Sequence, residues 1–187
     1  MNLERRVRIC LESNALSVEE TAGDITVTVP AGRLVDSLMA LKEHPDLKFD
    51  FLSDVIGIDN LDLFRKKKGK GKAAEEEPPE KKVKAPPPPR FEIVYLLLSL
   101  ESSERLRVKI QVPENDMTVD SVTSIWRAAS WPEREIYDLF GINFLGHPDL
   151  KRLLMWDGFK GHPLRKDYPL EGKGETRRLV YEQEKIR

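Results

Sequence analysis

A single cysteine, Cys10, stands among the 187 residues. That scarcity excludes an internal disulfide and any cysteine-ligated cluster on this chain. Long apolar runs are missing too. The longest, Ile93 to Leu98, falls far short of the ~18 residues that a membrane-crossing helix needs. The Met-Asn-Leu-Glu-Arg-Arg start has no apolar stretch behind it, so no secretory signal is expected. Net charge is −1, which leaves no global field to draw in nucleic acid or anionic lipid. The sequence contains no His-Glu-x-x-His or Cys-x-x-Cys spacing, no glycine-rich phosphate loop after a strand, and no serine or cysteine in a nucleophile motif. Any work at a membrane would be done through partners.

The neutral average conceals one biased stretch. Residues 65–90 hold ten Lys or Arg against four Glu, a local +6, which leaves −7 on the remainder. Four prolines, Pro86 to Pro89, close the stretch and favour polyproline II. Such a composition buries too little apolar surface to offset its ordering entropy. It is expected as a long disordered Lys/Glu/Pro-rich insertion between two strands.

The rest reads as alternating elements. Leu3, Val7, Cys10 and Leu11 form one helical stripe, and Cys10 is expected as a core thiol. Leu16–Glu20 and Ile25–Val29 read as a hairpin. A helix is expected from about Ala31 to Glu43 on Leu34, Leu38 and Leu41, ended by His44-Pro45. Phe49 to Ile58 reads as a strand, with Asp59, Asn60 and Asp62 in a surface loop after it. Phe91–Leu100 reads as a buried strand, and Arg105–Val112 alternates strictly between apolar and polar residues. Asp120 or Ser121 is placed to cap a short helix through Val122, Ile125 and Trp126. The expected fold is α+β: a mixed β-sheet with helices packed on one face, followed by an extended C-terminal segment. Residues 1–64 form the N-terminal half, 65–90 the insertion, 91–169 the C-terminal half and 170–187 a tail.

The unusual residues concentrate after position 125. All three Trp (Trp126, Trp131, Trp156) and two of the three His (His147, His162) lie there. Ser130-Trp131-Pro132-Glu133 reads as a capping box, and Gly141 as the left-handed exit of a helix ending at Phe140. Arg134 and Asp138 sit four apart and are expected to pair. A helix so loaded with Glu133, Arg134, Glu135 and Asp138 gains most if its charges meet another protein, with Trp131, Tyr137, Phe140 and Phe144 as an exposed docking face. Gly146-His147-Pro148-Asp149 is echoed by Gly161-His162-Pro163, and basic residues follow each. The two words read as stiff loops that display charge. His147 with Glu133, Glu135 or Asp149 also offers acid–base partners, and His147, His162 and Asp157 a metal set, but neither has a recognised spacing.

The run Glu133-Arg134-Glu135-Ile136-Tyr137-Asp138-Leu139-Phe140-Gly141-Ile142-Asn143-Phe144-Leu145-Gly146-His147-Pro148-Asp149-Leu150-Lys151-Arg152-Leu153-Leu154 resembles the signature of the C-subunit family of respiratory complex I, the proton-pumping NADH-quinone oxidoreductase. Gly161-His162-Pro163-Leu164-Arg165-Lys166-Asp167-Tyr168-Pro169 resembles the same family's C-terminal block. The resemblance implies a non-catalytic structural subunit of the peripheral arm, carrying no cofactor, while FMN and iron–sulfur clusters reside on partner subunits. It implies docking on the D subunit, near the B and I subunits, with quinone and NADH met only through the complex. It implies a peripheral position on the cytoplasmic side of the inner membrane. Its candidate interface residues are Glu133, Arg134, Glu135, Tyr137, Asp138, His147, Pro148, Asp149, Arg152, His162, Arg165 and Asp167. Two alternatives stay open: the corresponding subunit of a ferredoxin- or hydrogenase-type membrane complex, and a free-standing acid–base enzyme using His147 or His162.

Overall fold

The strict alternation over Arg105–Val112 is a strand with those bounds, β5, in a computed structural model that describes residues 2–21, 23–61 and 89–173. Before it come α1 (Leu3–Leu11), β1 (Ser17–Thr21), β2 (Asp24–Val29), α2 (Leu34–Glu43), β3 (Phe51–Asp59) and β4 (Phe91–Leu98). After it come β6 (Thr118–Asp120), α3 (Ser130–Phe140) and β7 (Asn143–Leu145). Five strands form one sheet in the order β1-β2-β5-β4-β3. The β2–β5 pair is parallel and the others are antiparallel, which makes the sheet mixed as expected. The two strands from the second half of the chain, β5 and β4, lie between β2 and β3 of the first half.

One face of this sheet is dry. Val27, Ile93, Tyr95, Val108 and Ile110 are fully buried and join Val7, Leu11, Leu34, Leu38 and Leu41 of α1 and α2 in one core. Cys10 sits half-buried at its edge. The Asn2 side chain caps α1 by accepting from the Arg5 N–H at 3.1 Å. α2 begins three residues later than expected, because Ala31–Arg33 after Pro30 form a 3-10 turn.

Several local expectations give way to tertiary contacts. Phe49 precedes β3, beyond a turn at Lys48 (φ 46°), and is fully buried, while Phe51 lies on the opposite face at 46% exposure. The short helix expected through Val122 and Trp126 is a single turn, with the Ile125 and Trp126 N–H groups donating to the Val122 carbonyl. Trp126 is extended instead, and its indole N–H reaches the Asp50 carbonyl at 2.9 Å. A second, two-stranded parallel sheet pairs β6 with β7, which the sequence pattern did not suggest.

The expected insertion lies outside the described residues, but its assumed last residue belongs to the domain. Arg90 is buried and contacts three carboxylates: Asp59 at 3.0 Å, Glu114 at 2.6 Å and Asp167 at 2.7 Å. Asp59 and Asn60 are likewise buried rather than exposed in a loop. The Asn60 N–H donates to the Arg90 carbonyl at 2.7 Å and closes the β3–β4 hairpin below the insertion. Burial pushes the Asp59 carboxyl up, yet the Arg90 guanidinium and the N–H groups of Lys166 and Leu61 outweigh it and hold it below its ordinary range. The Arg90 guanidinium is in turn held protonated more firmly, chiefly by Asp59.

Because the stem is closed on the described side, replacing residues 62–88 by a short Gly-Asn-Gly turn is expected to leave the thermal midpoint of the chain within a few degrees of wild type. Arg90→Met strands a buried carboxylate and is expected to cost about 3–5 kcal/mol, read by urea unfolding.

Candidate functional site

α3 is amphipathic: Ile136, Leu139 and Phe140 face the core. The helix meets β3 at Gly57, where an added Cβ would lie 2.9 Å from the Phe140 ring. Its start differs from the expected capping box. A 3-10 turn, Arg127–Ala129, leads straight into Ser130, which is already helical, and no side chain caps the N-terminus. Glu133 turns away from Ser130. One carboxylate oxygen accepts from the Ser121 hydroxyl at 2.6 Å and the other from the Val122 N–H at 2.8 Å, which ties α3 to the segment after β6. Glu133 is fully buried. Burial pushes its carboxyl up; the two hydrogen bonds and the field of His147 only partly offset this.

The Arg134–Asp138 pair does not form. Arg134 donates instead to the carbonyls of Lys151 and Arg152, each at 3.2 Å. Asp138 is fully buried and gathers four donors from a single stretch. The N–H groups of Leu153, Leu154 and Met155 reach Oδ2 at 3.0, 2.8 and 2.8 Å, and Arg152 reaches Oδ1 at 2.6 Å. Burial pushes the Asp138 carboxyl up, but this nest of N–H groups with Arg152 prevails and holds it below its usual range. Arg152 extends the network to the Gly161 carbonyl at 3.2 Å and lies over the Phe159 ring at 5.6 Å.

A helix leaves its last four carbonyls without internal partners. Here each of them is met. The Gly141 N–H serves Tyr137, the His162 ring serves Asp138 at 2.9 Å, the Leu164 N–H serves Leu139 at 3.2 Å, and Arg165 serves Phe140 at 2.6 Å. The carbonyl partner makes His162 Nδ1 the protonated nitrogen. Burial first, and the positive charges of Arg165 and Arg152 after it, hold His162 below its ordinary pKa and favour the neutral ring, against the opposing pull of the Asp138 carbonyl and carboxylate. Gly141 has φ 76°, and a Cβ there would lie 2.5 Å from His162 Nε2. Only glycine fits. The first Gly-His-Pro word serves the other end of the helix: His147 Nε2 contacts the Ser130 carbonyl at 3.0 Å, and His147 Nδ1 accepts from the Asp149 N–H at 3.0 Å.

The structure therefore brings Arg134, Asp138, Arg152, His162 and Arg165 into one network that straps the C-terminal segment to α3. Glu133 stands apart, against the segment after β6. His147, Pro148 and Asp149 lie by the helix start, with Asp149 paired to Lys151 at 2.9 Å. Asp167 joins Arg90 instead of α3. Glu135, Pro148, Asp149 and Asp167 are exposed, and Tyr137 is half-buried. The aromatic docking face is not one surface: Phe140 and Phe144 are core, while Trp131 is 66% exposed. Arg90, Asp59 and Ser121 escaped sequence reasoning. Arg90 read as the end of a charged run, and nothing in the sequence marks a lone Ser or Asp as the partner of a residue far along the chain. The two His rings are engaged by carbonyls. Among the described residues no three His, Cys, Asp or Glu come together as a metal would require, and no helix is long and apolar enough to cross a membrane.

Comparison with known proteins gives the family and the fold. A family model described as "Respiratory-chain NADH dehydrogenase, 30 Kd subunit" matches residues 27–174. The C subunit of the NADH-quinone oxidoreductase of Geobacter sulfurreducens is 41% identical over 160 residues, 86% of this chain and 83% of its own length. The C 2 subunit of the Rhizobium meliloti enzyme is 43% identical over 150 residues, 80% of this chain and 69% of its own. Among solved structures, the trypsin-resistant fragment (1-134) of Nqo5 is similar at TM-score 0.59 and 32% identity, over 80% of this chain and all of that one. A chain of the membrane-bound sulfane sulfur reductase, an archaeal respiratory membrane complex, shares the fold at TM-score 0.63 and 22% identity, over 89% of this chain and 85% of that one. The chain belongs to the 30 kDa, or C-subunit, family of the respiratory-chain NADH dehydrogenase.

Proposed function

We propose that this chain is a non-catalytic structural subunit in the peripheral arm of a proton-pumping NADH-quinone oxidoreductase. It docks on the D subunit, near the B and I subunits, and is held peripherally on the cytoplasmic side of the inner membrane by those partners. It binds no cofactor of its own. FMN, the iron–sulfur clusters, NADH and quinone are handled by other subunits. The observation that carries this reading is the family match over residues 27–174, which spans β3 to β5 of the sheet, α3 and the strapped C-terminal segment.

The geometry supports a holding role. Glu133, Asp138, Arg152, His162 and Arg165 spend their hydrogen bonds on the chain's own backbone and side chains, so they shape the surface on which a partner sits. Contact with the partner falls to the exposed members of the set, Glu135, Pro148, Asp149 and Asp167, and to Trp131. An exposed Trp is a common interface anchor.

The test is recovery of assembled complex through a tag on this chain. Asp138→Asn weakens a buried carboxylate's hold on four donors and is expected to cost about 3–5 kcal/mol, lowering both the thermal midpoint and the yield of complex. Glu135→Gln is expected to keep the midpoint, since exposed sites shift stability by about ±0.5 kcal/mol, yet to lower the yield. Full assembly of both variants would count against the role.

The pH dependence has three parts, and they do not all have the same sign. Asp138, Asp59 and Asp167 are held low, so their contribution is complete above about pH 4 and is lost as pH falls further. Glu133 is pushed up, so the fold takes up its proton before the unfolded chain does, and stability gains as pH drops from neutral toward the ordinary glutamate range of about 4.3. His162, held low, opposes that gain, because the unfolded chain takes up its proton first as pH falls through the ordinary histidine range. Urea unfolding across pH 3–7 should show the wild type gaining stability relative to Glu133→Gln as pH falls from neutral.

A further inference from the structure

β4 has the wrong composition for a strand with one wet face. Phe91 to Leu98 carries a single charge, the pattern of a strand covered on both sides, whereas β5 alternates strictly. Phe91, Ile93, Tyr95 and Leu97 meet the helices and are buried. Val94, Leu96 and Leu98 stand on the other face, half-buried, where no helix lies among the described residues. Register brings Ile56 beside Val94 and Phe51 beside Leu98, and these two are 40% and 46% exposed. An apolar strip therefore runs along the outer face of β3 and β4. At one end it opens into a hollow of about 310 Å³ lined by Ser53, Leu96, Leu98, Arg105 and Arg107.

The margins of the strip are polar and of opposite sign. On the β5 side, Arg107 is tied to Asp24 and Lys109 to Glu92, while Arg105 has no ion-pair partner among the described residues. On the β3 side Asp54 lies beside Leu96. A cover that suits this face is apolar along its middle, with a carboxylate toward Arg105 and a donor toward Asp54. An amphipathic helix has that shape, and helices are the usual second cover of a sheet.

We propose that the outer face of β3 and β4 is a docking surface, covered in the assembled complex by an amphipathic helix of another subunit that sets a carboxylate against Arg105. This rests on the family reading above and adds a second contact, on the bare side of the sheet, to the exposed residues of α3 and its loops.

The experiment uses the whole complex purified through a tag on this chain, with a benzophenone amino acid at Leu96. Irradiation is expected to join this chain to one other subunit. Leu96→Glu combined with Arg105→Glu is expected to lower the yield of complex about tenfold or more. The same pair of changes, on the face of the sheet that no helix covers among the described residues, should leave the far-UV circular dichroism and thermal midpoint of the free chain near wild type. Cross-linking confined to this chain or to a second copy of it, with the other subunits present, overturns the proposal alone. So does a normal yield from the charge variant. Absence of every other subunit from the wild-type preparation overturns the assembly reading itself. If the charge variant misfolds, the cross-linked species decides.

Discussion

The Asp138 carboxylate is sealed from water and satisfied by three consecutive backbone N–H groups and one guanidinium. A buried charge is tolerated only when it is both paired and hydrogen-bonded. The converse applies to the segment it holds. Residues 146–173 contain no helix or strand, so their backbone groups must find partners elsewhere. The carboxylate supplies three of these partners at once, and the exposed helix carbonyls supply more. Each side is stable only in the presence of the other. That mutual need explains why charge is so dense in a helix that buries most of it.

The arrangement also redistributes roles. Residues that look like a display of charge are internal fasteners, and the two Gly-His-Pro words bracket the ends of one helix. His147 at its start and His162 at its end each engage a main-chain carbonyl through one ring nitrogen. Arg90 repeats the theme at the end of the sheet, where a single guanidinium ties β3, the segment after β5 and the C-terminal segment together. The result is a domain whose buried carboxylates Asp59, Glu133 and Asp138 are met by its own fold, as suits a subunit that positions others.

Much of this was legible in the chain. Strict alternation named β5 to the residue, the leucine stripe found α2, and Gly141 marked the end of α3. The signature of about forty residues was enough to point to the family. Where local rules failed, a distant partner outbid the near one. Ser130 and Glu133 fit a capping box, but Ser121 offered Glu133 a buried hydrogen bond instead. Arg134 and Asp138 are neighbours on a helix surface, where such a pair contributes only about 0.3–0.5 kcal/mol, so a nest of four donors readily displaced it.

By itself, then, the sequence determined the periodic elements, the mixed α+β class and the family, because these follow from spacing along one chain. It could not determine which carboxylate meets which donor. Asp59 and Arg90, Asp138 and Leu153 to Met155, and Glu133 and Ser121 are joined only once the sheet and α3 bring distant segments within hydrogen-bond reach. Those pairings are decided by burial, which penalises every unpartnered charge and leaves few arrangements in which all are met.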